Sequence, residues 1–367
     1  MNDRLYLDHA ATTPMLPQAA EAMVRGLHAW ANPSSPHSEG RSARALLESA
    51  RNVVAGLYGW EGETIFTSGA SEAIGLALGR AQVAAVITSV VEHDAVLRAS
   101  SDAVRVPVGS DGVIDLDALE AALGAAPAPA LVAVQWANNE TGVRQPIGEI
   151  ADRVRAAGGL LFVDAAQMPA DATAEDRPQL VADLIAVSGH KRGGPPGIGA
   201  LLVRDLAILL PTGGQERGYR GGTENMPAAL AFAAALALPE DAGVTAAMRA
   251  RLDAAVDALG GEVVAQGSDR APHVGAYRMP GMSAAAQLIR FDLAGISVSA
   301  GAACSSGTMR PSHVLAHMGW DGARASEVIR VSFGRDTTPA DIERFISAWA
   351  EFARGARTAM REAAEAL

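Results

Sequence analysis

Lys191 ends the sequence Ser188-Gly-His-Lys191, which directly follows an apolar, β-prone run from Asp183 to Val187. Gly and Pro dominate residues 193–197, so we predict that a buried strand delivers this lysine into a loop that cannot be helical. An amine partly withdrawn from water loses charge and becomes a nucleophile able to form a Schiff base. A solvated lysine in a surface turn is the alternative for a single lysine.

Other polar side chains follow predicted strands in the same way. They are Glu92-His93, Asn138-Asn139-Glu140, Asp164 with Gln167, and Ser188 with His190. Because ligands of open α/β sheets bind at the carboxyl ends of the strands, these separate elements direct polar groups toward one crevice. Taken singly, each group has a simpler role in a helix cap or a turn.

The segment Ser68-Gly-Ala-Ser-Glu72 ends a predicted strand, 63–67, and precedes a helix predicted over 73–80. Free N–H groups and the positive end of the helix dipole meet there, and the Ser71 hydroxyl can add a hydrogen bond to a phosphate. An ordinary helix cap is the alternative. With a carboxylate, a flat histidine and a lysine, however, a phosphate cradle completes the requirements of a pyridoxal 5'-phosphate (PLP) site.

Strands and helices alternate through the first two thirds of the chain. After the strand at 63–67, strands are predicted at 84–88, 104–108, 131–136, 160–163, 184–187 and 200–203. Helices are predicted at 17–30, 40–57, 94–101, 116–123, 147–157 and 339–367. This order predicts an α/β fold with a mostly parallel central sheet and right-handed crossovers.

Composition limits the classes of protein to consider. A length of 367 residues predicts about two domains, and 49% hydrophobic with 19% charged residues fits a compact α/β protein. A net charge of −11 without a Lys/Arg run argues against nucleic acid or an anionic membrane as partner. The single cysteine excludes an internal disulfide framework, and the first residues lack a signal-peptide pattern, so we expect a cytoplasmic protein.

The order and spacing of the chemically capable stretches resemble a known family. The sequence resembles a cysteine desulfurase of the NifS/IscS type, in the class V aminotransferase superfamily of fold-type I PLP enzymes. The matching stretches are 6–14, 32–35, 66–72, 92–93, 137–142, 163–167, 188–191, 213–218 with 220–225, 304–307 and 329–335. Together they cover nearly the whole chain.

The resemblance implies roles for the residues around PLP. It makes Lys191 the lysine that binds the cofactor aldehyde, Asp164 the partner of the pyridine nitrogen, and His93 the residue that stacks on the ring. Asn139 and Gln167 would lie beside the phenolic oxygen. The residues implied to hold the phosphate are Ala70, Ser71, Ser188 and His190. Thr223 would reach the phosphate of the other subunit's cofactor, which implies a homodimer with shared sites.

The resemblance also implies how substrate is bound and how sulfur leaves it. Arg330, with Asn32 close by, would hold the substrate carboxylate through its guanidinium fork. Cys304 would be the nucleophile, although free cysteines are more often buried and inert. Its setting among small residues, 299–307, favours an exposed, mobile loop instead. His313 and His317 are spaced like metal ligands but have no third ligand nearby, so no metal site is predicted.

The implied activity is conversion of L-cysteine to L-alanine, with sulfur held as a Cys304 persulfide for an acceptor protein such as those of Fe–S cluster assembly. Residues 13–240 would form the large PLP-binding domain, and residues 1–12 with 241–367 the small domain. A selenocysteine lyase or an aminotransferase on the same scaffold, and a catalytically idle PLP-fold interaction protein, are the alternatives. A nicotinamide-dependent oxidoreductase is disfavoured because the early strands lack a Gly-x-Gly-x-x-Gly sequence.

The sequence departs from the usual family pattern at three places. Ser71 replaces a common threonine and keeps the hydroxyl. Ile74-Gly75 replaces a more polar pair, and Arg192-Gly193 replaces a pair that contains an aromatic residue. We expect the second and third changes to touch the crevice wall, to leave PLP binding intact and to affect substrate range or rate.

Overall fold

The structure is a computed structural model that describes residues 4–170, 178–301 and 311–365. Its strands are β1 (Leu5–Tyr6), β2 (Glu63–Thr67), β3 (Ala85–Ser89), β4 (Val104–Val106), β5 (Ala130–Gln135), β6 (Leu160–Asp164), β7 (Leu184–Ser188), β8 (Gly199–Val203), β9 (Glu262–Val263), β10 (Val274–Arg278), β11 (Ile296–Ser297) and β12 (Val328–Ser332).

The helices include every long helix that the sequence predicts. They are α1 (Pro17–His28), α2 (Ser38–Leu57), α3 (Ala70–Arg80), α4 (Asp94–Ala99), α5 (Leu116–Ala125), α6 (Ile147–Ala156), α7 (Pro178–Val181), α8 (Met226–Leu236), α9 (Ala242–Ala258), α10 (Ala284–Leu293), α11 (His313–His317), α12 (Gly322–Ala325) and α13 (Pro339–Glu365). Among the described residues, no helix is both long and apolar enough to cross a membrane.

Seven strands form one sheet in the order β2-β8-β7-β6-β5-β3-β4. Each neighbouring pair from β7 to β4 is parallel, and only β8 runs against its neighbours β2 and β7. Strands β5 and β7 are buried along their whole length, as continuous apolar runs in a sheet covered on both faces should be. The predicted mostly parallel sheet flanked by helices is confirmed.

The two faces of this sheet carry separate hydrophobic cores. Neighbouring residues of one strand point to opposite faces, so Phe66 packs with α2 and α8 residues while Ile65 packs with α3 residues. In the same way, Leu161 and Phe162 of β6 belong to opposite cores. This double cover fixes the register of the strands and therefore the direction of the polar residues at their ends.

A further core joins the two ends of the chain. Strand β1 pairs with β11 in parallel, and β10 lies between β9 and β12 in a three-stranded antiparallel sheet. Leu5 and Leu7 pack in the same cluster as Phe291, Phe345 and Trp349, where the two phenylalanine rings stack at 4.9 Å. The first residues thus pack with the C-terminal third, while the division into domains at 12/13 and 240/241 stays a prediction.

Some element boundaries differ from the predicted ones for local reasons. Helix α3 begins at Ala70 rather than 73, because Gly69 takes a φ of 150° that ends β2 and opens the helix three residues earlier. Strand β4 ends at Val106 because Pro107 has no N–H to donate to a ladder. The predicted helix at 339–367 is described as far as Glu365.

Candidate active site

A cavity of about 1020 Å³ opens at the carboxyl ends of β3, β5, β6 and β7. Side chains from the loops after these strands and from the start of α3 line it, together with residues near both ends of the chain. The predicted site residues among them are Ala70, Ser71, His93, Asn139, Asp164, Gln167, Ser188, His190, Lys191 and Arg330. The rule that strand ends converge therefore places these groups in one space.

Lys191 lies in a short 3₁₀ turn, His190–Arg192, immediately after β7. Burial lowers the pKa of its amine to about 8, the nearby Arg330 and Arg192 lower it as well, and Asp164 opposes them. An ordinary lysine stays almost fully protonated at neutral pH, whereas this amine has a substantial neutral fraction. The amine is therefore prepared for attack on a carbonyl carbon or for proton transfer.

Asp164 and His93 lie after different strands of the sheet, β6 and β3, which are separated by β5. Asp164 is the last residue of β6, and its Oδ1 accepts a hydrogen bond from the Ala166 N–H at 3.0 Å. His93 caps α4, with its Nδ1 accepting from the Ala95 N–H at 3.1 Å. That bond places the proton of a neutral ring on Nε2, and burial lowers the pKa of His93 so that the neutral ring is favoured.

The start of α3 forms an anion cradle. Helix geometry leaves the first N–H groups, including those of Ala70 and Ser71, without intrahelical partners. Glu72 accepts from the Ser68 N–H and pairs with Arg220 at 2.7 Å, so its carboxylate is neutralised beside the cradle. The cradle thus keeps a favourable potential for a phosphate.

Two buried polar atoms of uncharged side chains on the cavity wall have no hydrogen-bond partner in the described part of the chain. They are the Ser188 hydroxyl oxygen and the Gln167 Oε1, while the Gln167 Nε2 donates to the Ala10 carbonyl at 3.0 Å. A buried polar group left unpaired costs about 1–3 kcal/mol, so both atoms call for a polar ligand. Ser188 beside the cradle and Gln167 beside Asp164 fit the phosphate and the ring substituents of PLP.

Arg330 enters the cavity from β12. Its Nη2 donates to the Asp8 carboxylate at 2.7 Å and its Nη1 to the Asn139 carbonyl at 2.9 Å. The side chain is only 5% exposed. These two bonds fix the guanidinium at the cavity wall, where it can meet the carboxylate of an amino acid.

The family model for class V aminotransferases matches residues 5–345. The chain belongs to this family. A cysteine desulfurase from Cereibacter sphaeroides is 39% identical, with 94% of each chain covered. The NifS-like protein of Rickettsia africae has a similar structure, with a TM-score of 0.85 and 31% identity, covering 95% of this chain and 99% of that one.

A further similar structure is SspA in complex with cysteine, with a TM-score of 0.75 and 28% identity, covering 90% of this chain and 99% of that one. The resemblance to cysteine desulfurases within the class V aminotransferases is therefore confirmed. The roles of individual site residues remain predictions.

Two residues predicted for this class V aminotransferase site, Asn32 and Thr223, are exposed and not among those lining the cavity. Their loops are nevertheless joined. The Gln215 amide contacts the Ser34 hydroxyl at 3.0 Å and, with its nitrogen facing Glu224, donates to that carboxylate at 3.1 and 3.3 Å. Both residues therefore lie on one exposed polar edge, outside the cavity of their own chain.

Cys304 lies outside the described residues, but the chain on either side of its segment reaches the site. Ser299 pairs with Arg330 through backbone hydrogen bonds at 2.7 and 3.2 Å. On the other side, the His313 Nε2 contacts the Glu92 carbonyl at 3.1 Å, and His313 lines the cavity. The described residues contain no group of three metal-binding side chains.

Two residues that contact lining residues of the cavity, Asp8 and Glu92, were not assigned roles from the sequence. Asp8 lies in a matching stretch, but its partner Arg330 is 322 positions away and no local pattern links them. Glu92 is fully buried, which raises the pKa of its carboxyl to about 8, while the Ser89 hydroxyl donates to it at 2.6 Å. A charged residue shortly after an apolar strand is the sequence signal that could have indicated that Glu92 is buried next to the site.

The residues that depart from the family pattern differ in whether they line the cavity. Ile74 is buried and lines the cavity. Ser71 also lines the cavity, at the anion cradle, whereas Gly75, Arg192 and Gly193 are not among the lining residues. We therefore expect only the change at Ile74 to affect substrate contact directly.

Proposed function

We propose that this protein is a PLP-dependent cysteine desulfurase that converts L-cysteine to L-alanine and moves the sulfur to Cys304 as a persulfide. The observation that carries the proposal is the Lys191 amine, held partly neutral in a cavity with an anion cradle on one side and a fixed guanidinium on the other. Membership of the class V aminotransferases supports the choice of PLP.

In this proposal, the described residues divide binding and proton transfer among them. Ala70, Ser71 and Ser188 would hold the phosphate of PLP, and Asp164 would pair with its pyridine nitrogen. Bound PLP supplies a carbonyl for the substrate amine and a place for the electrons released at the substrate Cα. Lys191 then takes the Cα proton, which its partly neutral amine can accept near pH 8.

Substrate is held by its carboxylate in the proposed site. The Arg330 guanidinium is positioned by Asp8 and by the Asn139 carbonyl, so it offers a fork of fixed direction. Because the substrate amine and carboxylate share one carbon, this fork and the Lys191 amine together fix which Cα bond faces Lys191.

The sulfur step needs a thiolate, and Cys304 is the only cysteine in the sequence. The Cys304 sulfur forms an S–S bond with the substrate sulfur while the substrate Cβ–S bond breaks. The electron pair of that bond stays with the substrate Cβ, which takes a proton, and return of a proton from Lys191 to Cα then gives alanine. The described flanks at Ser299 and His313 support this role because both contact residues of the cavity or its wall.

We further propose a homodimer in which Thr223 and Asn32 complete the site of the partner subunit. Large apolar side chains are exposed near the edge that carries these residues, among them Val24 at 52%, Leu27 at 58% and Trp30 at 77% exposure. Exposed apolar groups next to polar loops are typical of an interface.

The proposal also includes the compartment and the acceptor of the sulfur. A reducing cytoplasm would keep the lone thiol free, and an acceptor protein would receive the persulfide sulfur.

The test is to incubate the purified protein with PLP, L-cysteine and a reducing agent, and to quantify alanine and sulfide together. Equal molar yields, abolished in Lys191→Ala, are the expected result. Formation of a keto acid without sulfide would replace the proposal with an aminotransferase. Absence of any product with PLP bound would favour the idle interaction protein.

A further inference from the structure

Arg192, the residue after Lys191, is buried in a charged cluster behind the lysine loop. Its side chain is 5% exposed, and its Nη1 donates to the two carboxylate oxygens of Glu240 at 3.1 and 3.0 Å. The same carboxylate contacts the Arg335 Nη2 at 2.9 Å. Burying ions costs free energy even when they are paired, so a cluster at this position calls for a functional explanation.

Arg335 also binds the backbone of the lysine loop. Its Nη1 donates to the Arg192 carbonyl at 2.8 Å, and its Nη2 donates to the Leu238 carbonyl at 3.2 Å. Arg335 follows β12, the strand that carries Arg330. The cluster therefore joins the loop that bears the Lys191 amine to the strand that bears the proposed carboxylate-binding guanidinium.

The backbone around Lys191 has little freedom to move. Thr13 donates through its hydroxyl to the Lys191 carbonyl at 3.2 Å, and the Leu16 N–H donates to the Gly193 carbonyl at 2.9 Å. Gly193 has a φ of 81°, and a Cβ there would lie 2.6 Å from the Leu16 Cγ. The Arg192 charge is thus held at a constant place relative to the Lys191 amine.

The charges that face the Lys191 amine come from several elements. Asp164 on β6 favours the protonated amine, whereas Arg330 on β12 and Arg192 on its own loop disfavour it. The nearby rings add no fixed charge, because burial lowers the pKa of both His93 and His190. Among the described residues, Arg192 is therefore one of the two cations that act on this amine.

The groups around the cluster of Arg192, Glu240 and Arg335 do not cancel its net positive charge. Burial lowers the pKa of His273 to about 3, with Arg192 contributing, and that of His9 to about 4, so both rings are neutral at pH 7. Arg249 also lies near His273, and Asp336 lies near His9. The Glu240 carboxylate is shared between two guanidinium groups and compensates each of them only in part.

We propose that Arg192 is a positioning residue for Lys191: anchored by Glu240 and Arg335, it holds the lysine loop against the strand of Arg330 and keeps a positive charge behind the amine. That charge favours the neutral amine, which is the nucleophilic form. The inference deepens the proposed function and rests on it only for the role of the amine. It also gives a physical purpose to Arg192, where the chain departs from its family's usual pattern.

The sequence offers a direct measurement, because Lys191 is its only lysine. The full-length chain made with ¹³Cε-labelled lysine gives one lysine signal, whose NMR chemical shift follows the charge of the amine. Hydroxylamine treatment first removes any carbonyl compound from the amine. The result then does not depend on whether the protein binds PLP, so failure of this inference and failure of the proposed function are distinguishable.

Two substitutions distinguish a charge effect from simple loosening of the loop. Arg192→Gln should raise the titration midpoint of Lys191 by about half a pH unit to one pH unit. Glu240→Gln leaves the Arg192 charge less compensated and should lower the midpoint. A merely structural role would instead admit water in both variants and raise both midpoints toward that of free lysine.

Arg204→Gln is the matched control. Arg204 follows β8 at the end of the sheet opposite to Lys191, where it binds the Ala182 and Gln179 carbonyls at 2.9 and 2.8 Å. The titration midpoint of Lys191 in Arg204→Gln should equal that of the wild type. An unchanged midpoint in Arg192→Gln, or a rise in Glu240→Gln, would overturn the inference. If Arg192→Gln does not fold, as judged by circular dichroism, the sign of the shift in Glu240→Gln decides alone.

Discussion

Arg330 on β12 donates to the Asp8 carboxylate at 2.7 Å, which connects two residues 322 positions apart at the wall of the cavity. The contact holds the guanidinium in place but also offers it an anion before any substrate arrives. In the proposed site, a substrate carboxylate would therefore have to share Arg330 with Asp8 or displace it. Substitution of Asp8 shows whether its carboxylate mainly positions the Arg330 guanidinium or mainly competes with the substrate for it.

Arg330→Gln should raise the KM for L-cysteine by at least about tenfold, since a charge-assisted hydrogen bond contributes about 1.5–3 kcal/mol. Asp8→Asn keeps an acceptor for Arg330 but removes the competing charge, so we expect its KM to fall by about two- to fivefold. Steady-state kinetics of alanine formation measures both. A KM that rises in Asp8→Asn would mean that the carboxylate acts mainly by positioning.

The lowered pKa of Lys191 predicts how the cofactor-free chain captures PLP. Only the neutral amine attacks the aldehyde, so the rate should rise about tenfold per pH unit below a midpoint near pH 8 and then level off. Stopped-flow absorbance between pH 6 and pH 10 measures this rate. A midpoint near the ordinary lysine value of 10.5 would show that burial does not act on this amine.

The raised pKa of Glu92 predicts that the stability of the folded protein depends on pH. Its pKa rises from 4.5 to about 8 on folding, so between these values the unfolded chain has lost a proton that the folded chain keeps. Stability therefore falls as the pH rises through this window, by up to about 1.4 kcal/mol per pH unit. Glu92→Gln cannot titrate and should gain stability relative to the wild type from pH 5 to pH 8.

Urea unfolding of both proteins at several pH values measures that difference. Because the chain is otherwise the same, other titrating groups cancel in the comparison. A stability difference that is constant over the range would show that Glu92 is ionised in the folded protein.

Thr223 tests the shared site. Loss of one hydroxyl bond to a phosphate in Thr223→Val should weaken PLP binding by about tenfold while the dimer persists. Fluorescence titration gives the affinity, and light scattering gives the mass. Thr245→Val is the control, because the Thr245 hydroxyl donates to the carbonyl of Asp241, the residue that caps α9. An active, PLP-bound monomer would disprove the shared site.

Most of the large sheet could be predicted because its strands are short apolar runs ended by Gly, Pro or polar residues. The convergence of His93, Asp164 and Lys191 followed from the rule that parallel strands end at one edge. The contacts of Asp8 with Arg330 and of Arg192 with Glu240 could not be predicted, since they join distant segments through side-chain directions that no periodic pattern encodes. Strands β9 and β11, of two residues each, are too short to give a periodic signal.

Substitution of Cys304 shows whether this residue takes sulfur from cysteine. Cys304→Ser keeps Lys191 and Asp164, so it should still bind PLP and L-cysteine with spectra like those of the wild type. Its hydroxyl is almost devoid of nucleophilicity at neutral pH, so alanine formation should fall at least about 100-fold.

The decisive measurement pairs alanine formation by Cys304→Ser with mass spectrometry of the wild type after brief exposure to L-cysteine. We predict one added sulfur on the peptide that contains Cys304, the only thiol in the sequence, and almost no alanine from the variant. Alanine formed from cysteine by Cys304→Ser at the wild-type rate, with no added sulfur on the wild-type peptide, would show that Cys304 does not accept the sulfur.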